Sequence, residues 1–419
     1  MTGSALLALG LVLSTASQLR VPGIPLGFGE VFLALWAGFA LMRVLTGDRV
    51  SNPGALLRLG SFWMFFAFSL SIGTCQALLL QKLDAGSMLH DVFAYLVVAT
   101  ISCLMVATMK PGSELRRSLW LLVGFWNVAL IIQIAIGWRL IRLSSVDPWF
   151  WERFRGWSEN PNQLALCCAL LAALSLHLAL SSKGFGRIAA LLSCLLSLVV
   201  GRLTRSDTFL GTMVLCTAAF IGLRLWNWLK SPEHRYSLRS AAAVLLVVAF
   251  VPLSLSLMPY ALATSDRLGS MAAGMTKDHG GEGTMRTASL RLYLWQNALR
   301  IGLESRSLGL GPGPHLWRPK TAEDDDRPIT RPFEAHNTVL DIFTQGGLLG
   351  VIALYGLFAG VFLLMLRARL DALAVLMVAL VFFSLTHFIP RHPIVWFAVA
   401  VSLMLGLERV PSPRARIGI

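Results

Sequence analysis

His336 is followed at once by Asn337, and nine residues separate that pair from Gly347, with Gly350 three positions further on. An imidazole with an ordinary pKa near 6.5 is mostly neutral at about pH 7, so it can take a proton from a hydroxyl. Three other stretches carry groups suited to anions or sugars. The first holds Arg153, Arg155, Asn160, Pro161 and Asn162; the second Arg202, Thr204, Arg205 and Asp207; the third Arg291, Trp295, Gly309, Gly311 and Gly313. Guanidinium groups stay charged and offer forked donors that match phosphate oxygens. Each stretch also has a plainer use. Asn160 or Asn162 can cap a helix, Asp207 can pair with an arginine, and Gly309–Gly313 can be a simple turn. Gly346, Gly347 and Gly350 can let helices pack closely.

The elements that must position these groups are apolar. Hydrophobic residues make up 56% of the 419 positions and charged ones 14%, with a mean hydropathy of +0.67. A soluble chain of this length needs more polar surface than that. The apolar residues fall in runs of roughly 20, the length of helix that crosses about 30 Å of hydrocarbon, and they lack the alternation of a barrel strand. The fold class expected is an all-α polytopic membrane protein with about 12 transmembrane helices. The runs lie near 4–19, 26–45, 59–80, 89–109, 117–138, 163–181, 186–202, 208–226, 239–259, 346–366, 371–389 and 393–407. Three regions follow: 1–259 with nine spans and a connector near 139–162, a long connector over 260–345, and 346–419 with three spans and a short tail.

The first run has no basic residue ahead of it, Arg20 being the first, so it reads as a retained span and not a secretory signal. Six cysteines all sit inside apolar runs and read as small buried hydrophobes. Within the long connector, Leu290, Leu294, Ala298 and Ile301 recur at helical spacing and predict an amphipathic helix on the membrane surface, with Arg291 and Trp295 on one stripe.

Lys and Arg in short loops orient such a chain. Arg43, Arg49, Arg58, Lys110, Arg116, Arg117, Lys183, Arg187, Arg224, Lys230, Arg367 and Arg369 fall on one side, which is then cytoplasmic, as are both termini. Both large connectors lie outside. The outer arginines run against the usual bias; they fit anionic lipid headgroups or a membrane-borne diphosphate, and facing away from the cytoplasm they exclude nucleic acid as a partner.

At these residues the chain resembles the O-antigen ligase family. That family shares its signature with O-antigen polymerases and some protein O-oligosaccharyltransferases. Its pattern of His, Asn, nine residues, Gly, two residues and Gly is met by His336, Asn337, Gly347 and Gly350. Asn160–Ala165 is similar to the segment entering a middle span of the family, and Arg291, Trp295 and Gly309–Gly313 to its long periplasmic loop. The family's Thr-x-Ser-Arg departs here to Thr204-Arg205-Ser206-Asp207, so Arg205 and Arg202 both remain candidates for its arginine.

The resemblance implies a C-type membrane glycosyltransferase-like architecture in the bacterial inner membrane, with the site on the periplasmic face and a large periplasmic loop. It implies a donor, O-antigen linked to undecaprenyl diphosphate, and an acceptor, lipid A–core. His336 is then the base, with Arg291 and Arg205 at the departing diphosphate. Arg202, Arg155, Asn160, Asn162, Trp295, Gly311, Gly313 and Asn337 are expected to bind substrate. No cofactor or metal is expected: there is no Asp-x-Asp motif, and the acidic run Glu323–Asp326 reads as a solvated loop. A transporter should instead bury ionisable groups near mid-membrane, and here the conspicuous ones sit at span edges.

Overall fold

The computed structural model describes residues 2–20, 27–47, 49–82, 84–230, 280–317 and 332–410. Twelve α-helices lie among them: α1 (Thr2–Leu13), α2 (Phe28–Leu45), α3 (Pro53–Leu79), α4 (Ala85–Thr108), α5 (Ser113–Gly137), α6 (Pro161–Ser181), α7 (Gly184–Leu203), α8 (Asp207–Leu229), α9 (Gly280–Glu304), α10 (Thr338–Arg367), α11 (Asp371–Ser384) and α12 (Pro393–Arg409). Eight of these helices, α2 to α8 and α10, are long and apolar enough to cross a membrane. Their outward faces carry large apolar side chains such as Met64, Leu79, Phe185 and Leu195, a surface that suits lipid and not water. The predicted mainly helical architecture is thus observed and suits a multi-pass membrane protein, with eight of the expected twelve or so spans represented among the described residues.

Several boundaries differ from the sequence reading. The span near 239–259 and the acidic run Glu323–Asp326 lie outside the described residues. The tenth helix starts at Thr338, ahead of the apolar run at 346, because Asn337 caps it: its Oδ1 accepts from the Val339 and Leu340 amides at 3.0 and 3.3 Å. Helix α11 stops at Ser384, short of the expected 389, and the chain from Leu385 to His392 turns across the bundle end. The first run forms a helix of 12 residues, about 18 Å at 1.5 Å per residue.

Helix α6 is apolar on every side and small-residue rich (Ala, Cys, Ser), as a fully surrounded helix must be. Nearly all of it is buried, from Pro161 to Ala179. Cys167, Cys168 and Cys216 are buried, and all six cysteines are free.

Contacts between loops sort them to two ends of the bundle. At one end, Gln18 Nε2 donates to the carbonyls of Asp147, Gly156 and Ser158, and Arg153 reaches the α7–α8 turn. There a two-stranded hairpin pairs Trp149–Phe150 (β1) with Arg153–Phe154 (β2). At the other end, Asn52 Nδ2 donates to the Met109 carbonyl, Arg116 meets Ser182 and Arg224 meets Asp371.

Helix α10 breaks at Gly347, whose φ of 63° and ψ of −162° leave the helical region. The break frees backbone groups that an irregular segment then takes. Leu310 and Gly311 donate to the Thr344 and Gln345 carbonyls at 2.7 and 2.8 Å, and Leu348 donates to Ser307 at 2.9 Å. Non-helical backbone inside an apolar bundle persists only when its polar groups are satisfied in this way. A Cβ on Gly347 would stand 2.1 Å from the Ser307 carbonyl oxygen, and one on Gly311 2.6 Å from Thr74 Oγ1. The glycine pattern around 309–313 and 346–350 therefore builds a joint between α3, α9 and α10.

Candidate functional site

His336 sits at the mouth of α10 in the left-handed region, with φ 52°, a backbone state that a side chain adopts only when neighbours hold it there. Asp341, one turn into the helix, provides that hold. Its carboxylate accepts from the amides on either side of His336, Ala335 at 2.7 Å and Asn337 at 3.1 Å. From behind, Asn337 Nδ2 donates to the Leu385 carbonyl at 2.8 Å and Thr338 Oγ1 to the His387 carbonyl at 2.6 Å. The residue is exposed. Even so, the surrounding protein desolvates it and, with the Arg291 charge as the second cause, lowers its pKa from the ordinary value.

Arg291 comes from α9, whose buried face is as the spacing predicts: Leu294 and Ala298 are buried against Leu316 and Ala335, with Leu290 and Ile301 beside them. Trp295 Nε1 donates to the Ala335 carbonyl at 3.0 Å. One turn of α9 thereby registers Arg291 against the His336 segment.

A second guanidinium joins from the hairpin. Arg153 Nε donates to the Thr204 carbonyl at 3.1 Å and its Nη2 to Asn162 Oδ1 at 2.7 Å, tying β2 to the α7–α8 turn and to the mouth of α6. Burial lowers its pKa from the usual guanidinium value; Asp207 opposes that and Arg291 adds to it. Arg153 remains charged, and the arginines lie close enough to feel one another.

The fourth contributor is the segment after α11. His387 stands within the field of Arg291, His336, His392 and Arg153; burial first, then those groups, push it down to about 3. Beyond it, Arg391 Nη1 donates to Asp91 of α4 at 2.6 Å, and its other nitrogen pairs with Glu334 on the segment carrying His336. Tyr95 donates to Gln345 at 2.6 Å. This network fixes the approach to His336 against α4 and the broken helix.

The structure thus gathers Arg153, Arg291, His336 and His387 with Asn162, Trp295 and Asn337 as their supports. The remaining expected site residues stand differently. Arg205, φ 47°, is half-exposed and paired with Glu152; Arg202 is exposed. Arg155 is engaged by Asp147 at 2.7 Å and by the Phe150 ring, a staple within its own loop. Asn160 caps α6, accepting from Asn162 at 2.9 Å. Gly311 and Gly313 pack against α3 and α4. Arg153 was named in its stretch without being given a role, and Asp341, His387 and Arg391 are the residues sequence reasoning passed over. A signal for the last two existed: Thr386-His-Phe-Ile-Pro-Arg-His-Pro393 is a polar island between two apolar runs. Among the described residues, no group of three or more His, Cys, Asp or Glu is placed to hold a metal.

Two cations beside two imidazoles held neutral make a site that attracts an anion while keeping a proton acceptor free. No curated protein matches the chain. The segment contributing α7, α8, α9, the His336 motif and the broken half of α10, residues 188–355, matches the family described as O-antigen ligase, and the resemblance read from that motif is shown there.

Proposed function

We propose that the protein is an O-antigen ligase of the bacterial inner membrane. It transfers a polysaccharide from undecaprenyl diphosphate to a sugar hydroxyl of lipid A–core on the periplasmic face. The observation that carries this reading is the meeting of three groups from separate elements at one end of the bundle, where Arg291 of α9 lies near enough to act on both His336 at the mouth of α10 and Arg153 of β2. In this reading the chain spans the membrane about twelve times with both termini cytoplasmic, as its short basic loops favour, and the His336 end of the bundle faces out with the large loop.

The acceptor hydroxyl attacks the anomeric carbon, giving its proton to His336 as the carbon–oxygen bond to the diphosphate breaks. One displacement inverts that centre. The diphosphate is a weak base and leaves without a proton, so positive charge at its oxygens is what the site must provide. Arg291 and Arg153 supply it without a metal. Arg205 joins them by exchanging Glu152 for a phosphate oxygen; an exposed ion pair is worth only about 1 kcal/mol or less, so the exchange is easy. Arg202 and Arg155 steer the donor at the rim, while Asn160, Asn162, Trp295, Gly311, Gly313 and Asn337 shape the walls that hold it.

Deletion of the gene, read on lipopolysaccharide gels, tests the reading. Loss of long-chain glycan on lipid A while undecaprenyl-linked polymer accumulates is the expected result. Loss of polymer at the carrier stage would make the protein an O-antigen polymerase, and loss of glycan from a protein would make it a protein O-oligosaccharyltransferase.

A further inference from the structure

His387 differs from the other described histidines in what surrounds each ring nitrogen. Its Nδ1 lies 2.9 Å from Thr386 Oγ1, which in turn lies 3.0 Å from Thr208 Oγ1 on α8. Its carbonyl accepts from Thr338 Oγ1 at 2.6 Å, and the next residue but one, Ile389, donates to the same hydroxyl at 3.1 Å. Ring and backbone are therefore both engaged by neighbours. Yet Nε2 is buried and no group among the described residues reaches it. A buried polar atom left alone costs about 1–3 kcal/mol, and a histidine kept only for packing would do better as phenylalanine. The atom lies among the groups of the transfer site: Arg291, Arg153 and His336 all act on the ring.

We propose that His387 is a substrate-binding residue whose Nε2 hydrogen-bonds a hydroxyl of the acceptor sugar beside His336. This rests on the transfer reading above. The ligand chemistry follows from what Nε2 can do. Thr386 Oγ1 has one proton, which can go to Thr208, to the Phe383 carbonyl 3.4 Å away, or to Nδ1. In the first two cases Nδ1 is the donor and Nε2 the acceptor; in the third Nε2 is the donor. A sugar hydroxyl both donates and accepts, so it satisfies either tautomer. A phosphate oxygen satisfies only the third, and the arginines already serve phosphate. A cation is opposed by those same arginines. With its burial and cationic neighbours the ring stays neutral across physiological pH. It therefore holds a hydroxyl next to the attacking one, and so keeps the acceptor sugar in place while His336 removes the attacking hydroxyl's proton.

Transfer from an undecaprenyl-diphosphate-linked glycan to lipid A–core by the full-length protein in membranes, at varied acceptor, tests this with His387→Phe and His387→Gln. Phe keeps the ring volume and loses Nε2; Gln places an amide, both donor and acceptor, near the Nε2 position. Phe is expected to raise the acceptor KM and lower kcat/KM about 5- to 100-fold, the span of one unsatisfied partner. Gln is expected to recover most of that loss, with Tm lowered in neither variant and the acid limb of the pH profile unchanged in both. A His387→Phe protein with the wild-type acceptor KM would overturn the assignment. So would equal loss in both variants accompanied by a lowered Tm, since that marks a packing role. A wild type that transfers nothing ends the transfer reading and this inference together, whereas normal wild-type transfer beside an unimpaired His387→Phe ends this inference alone.

Discussion

Both ends of the bundle pair some of their arginines with carboxylates, as Arg155, Arg205 and Arg391 are paired at one and Arg43 and Arg224 at the other, but the His336 end adds two that are held differently. At the His336 end, Arg153 is fixed by a backbone carbonyl and an asparagine amide and half-buried beside a second guanidinium. No described carboxylate comes within ion-pairing distance of Arg153 or Arg291. At the other end, Arg43 and Arg224 face Glu114 and Asp371 at 3.7 Å. Arg58 and Arg367 there are exposed and, with Glu408, line a cavity of about 550 Å³ that no residue of the His336 cluster borders. Charge in short loops is enough to set orientation. A binding site for an anion needs more: cations whose positions are fixed by neutral groups, so that their charge is still available.

The sharpest way to break this comparison is His336→Ala, which is expected to cut transfer about 10²–10⁴-fold, the range for a lost general base. The protein should stay in the membrane at its normal level, as Asp341 binds backbone amides there and not the imidazole. Transfer by this variant at the wild-type rate would remove the base assignment.

Arg291→Ala and Arg153→Ala come next, each expected to cost about 10–10³-fold in kcat, read with saturating donor. Arg153→Ala should also lower Tm, because it frees the Thr204 carbonyl and Asn162 Oδ1. Equal activity in Arg153→Ala and wild type would move the second cation to Arg205 or Arg202.

These variants also show what the sequence could and could not reveal. Eight of the spans were legible because lipid demands roughly 20 apolar residues in a row, and α9 because Leu294 and Ala298 keep helical spacing on its buried face. The joint at Gly347 was legible through its spacing from His336, and the break in α10 requires a glycine there. Arg153 and Arg155 were not separable by sequence. Strand β2 ends at Phe154 and the chain turns at Gly156, φ 57°, sending Arg155 back to Asp147 while Arg153 goes to α6 and the α7–α8 turn. Arg205 was favoured for its position in a motif-like stretch, and only the fold shows Glu152 reaching it. His387 was hidden because the apolar run that seemed to continue through 389 stops being helix at Ser384.

A pH profile gives a smaller effect. The active form of His336 is neutral, and desolvation with Arg291 lowers its pKa. Activity should therefore persist below pH 6.5 and fall only as pH drops through the lowered value. Arg291→Gln removes one of the two causes, so its residual activity should be lost at a higher pH than in wild type. An acid limb above 6.5 in wild type would contradict this.

The smallest effect is expected at the opposite end. Arg58→Ala combined with Arg367→Ala should change kcat/KM less than about twofold, as exposed charges far from a reaction do little. A loss as large as that of Arg153→Ala would erase the distinction between the two ends.

Binding of farnesyl diphosphate to the detergent-solubilised full-length protein, measured calorimetrically, tests the central claim most directly. Wild type and the Arg58→Ala, Arg367→Ala protein should bind alike, and Arg153→Ala with Arg291→Ala should bind at least about tenfold more weakly, the loss of one or two charge-assisted contacts. Equal affinity in all three proteins, or a larger loss from the Arg58 and Arg367 pair, would show that the diphosphate is not held between Arg153 and Arg291.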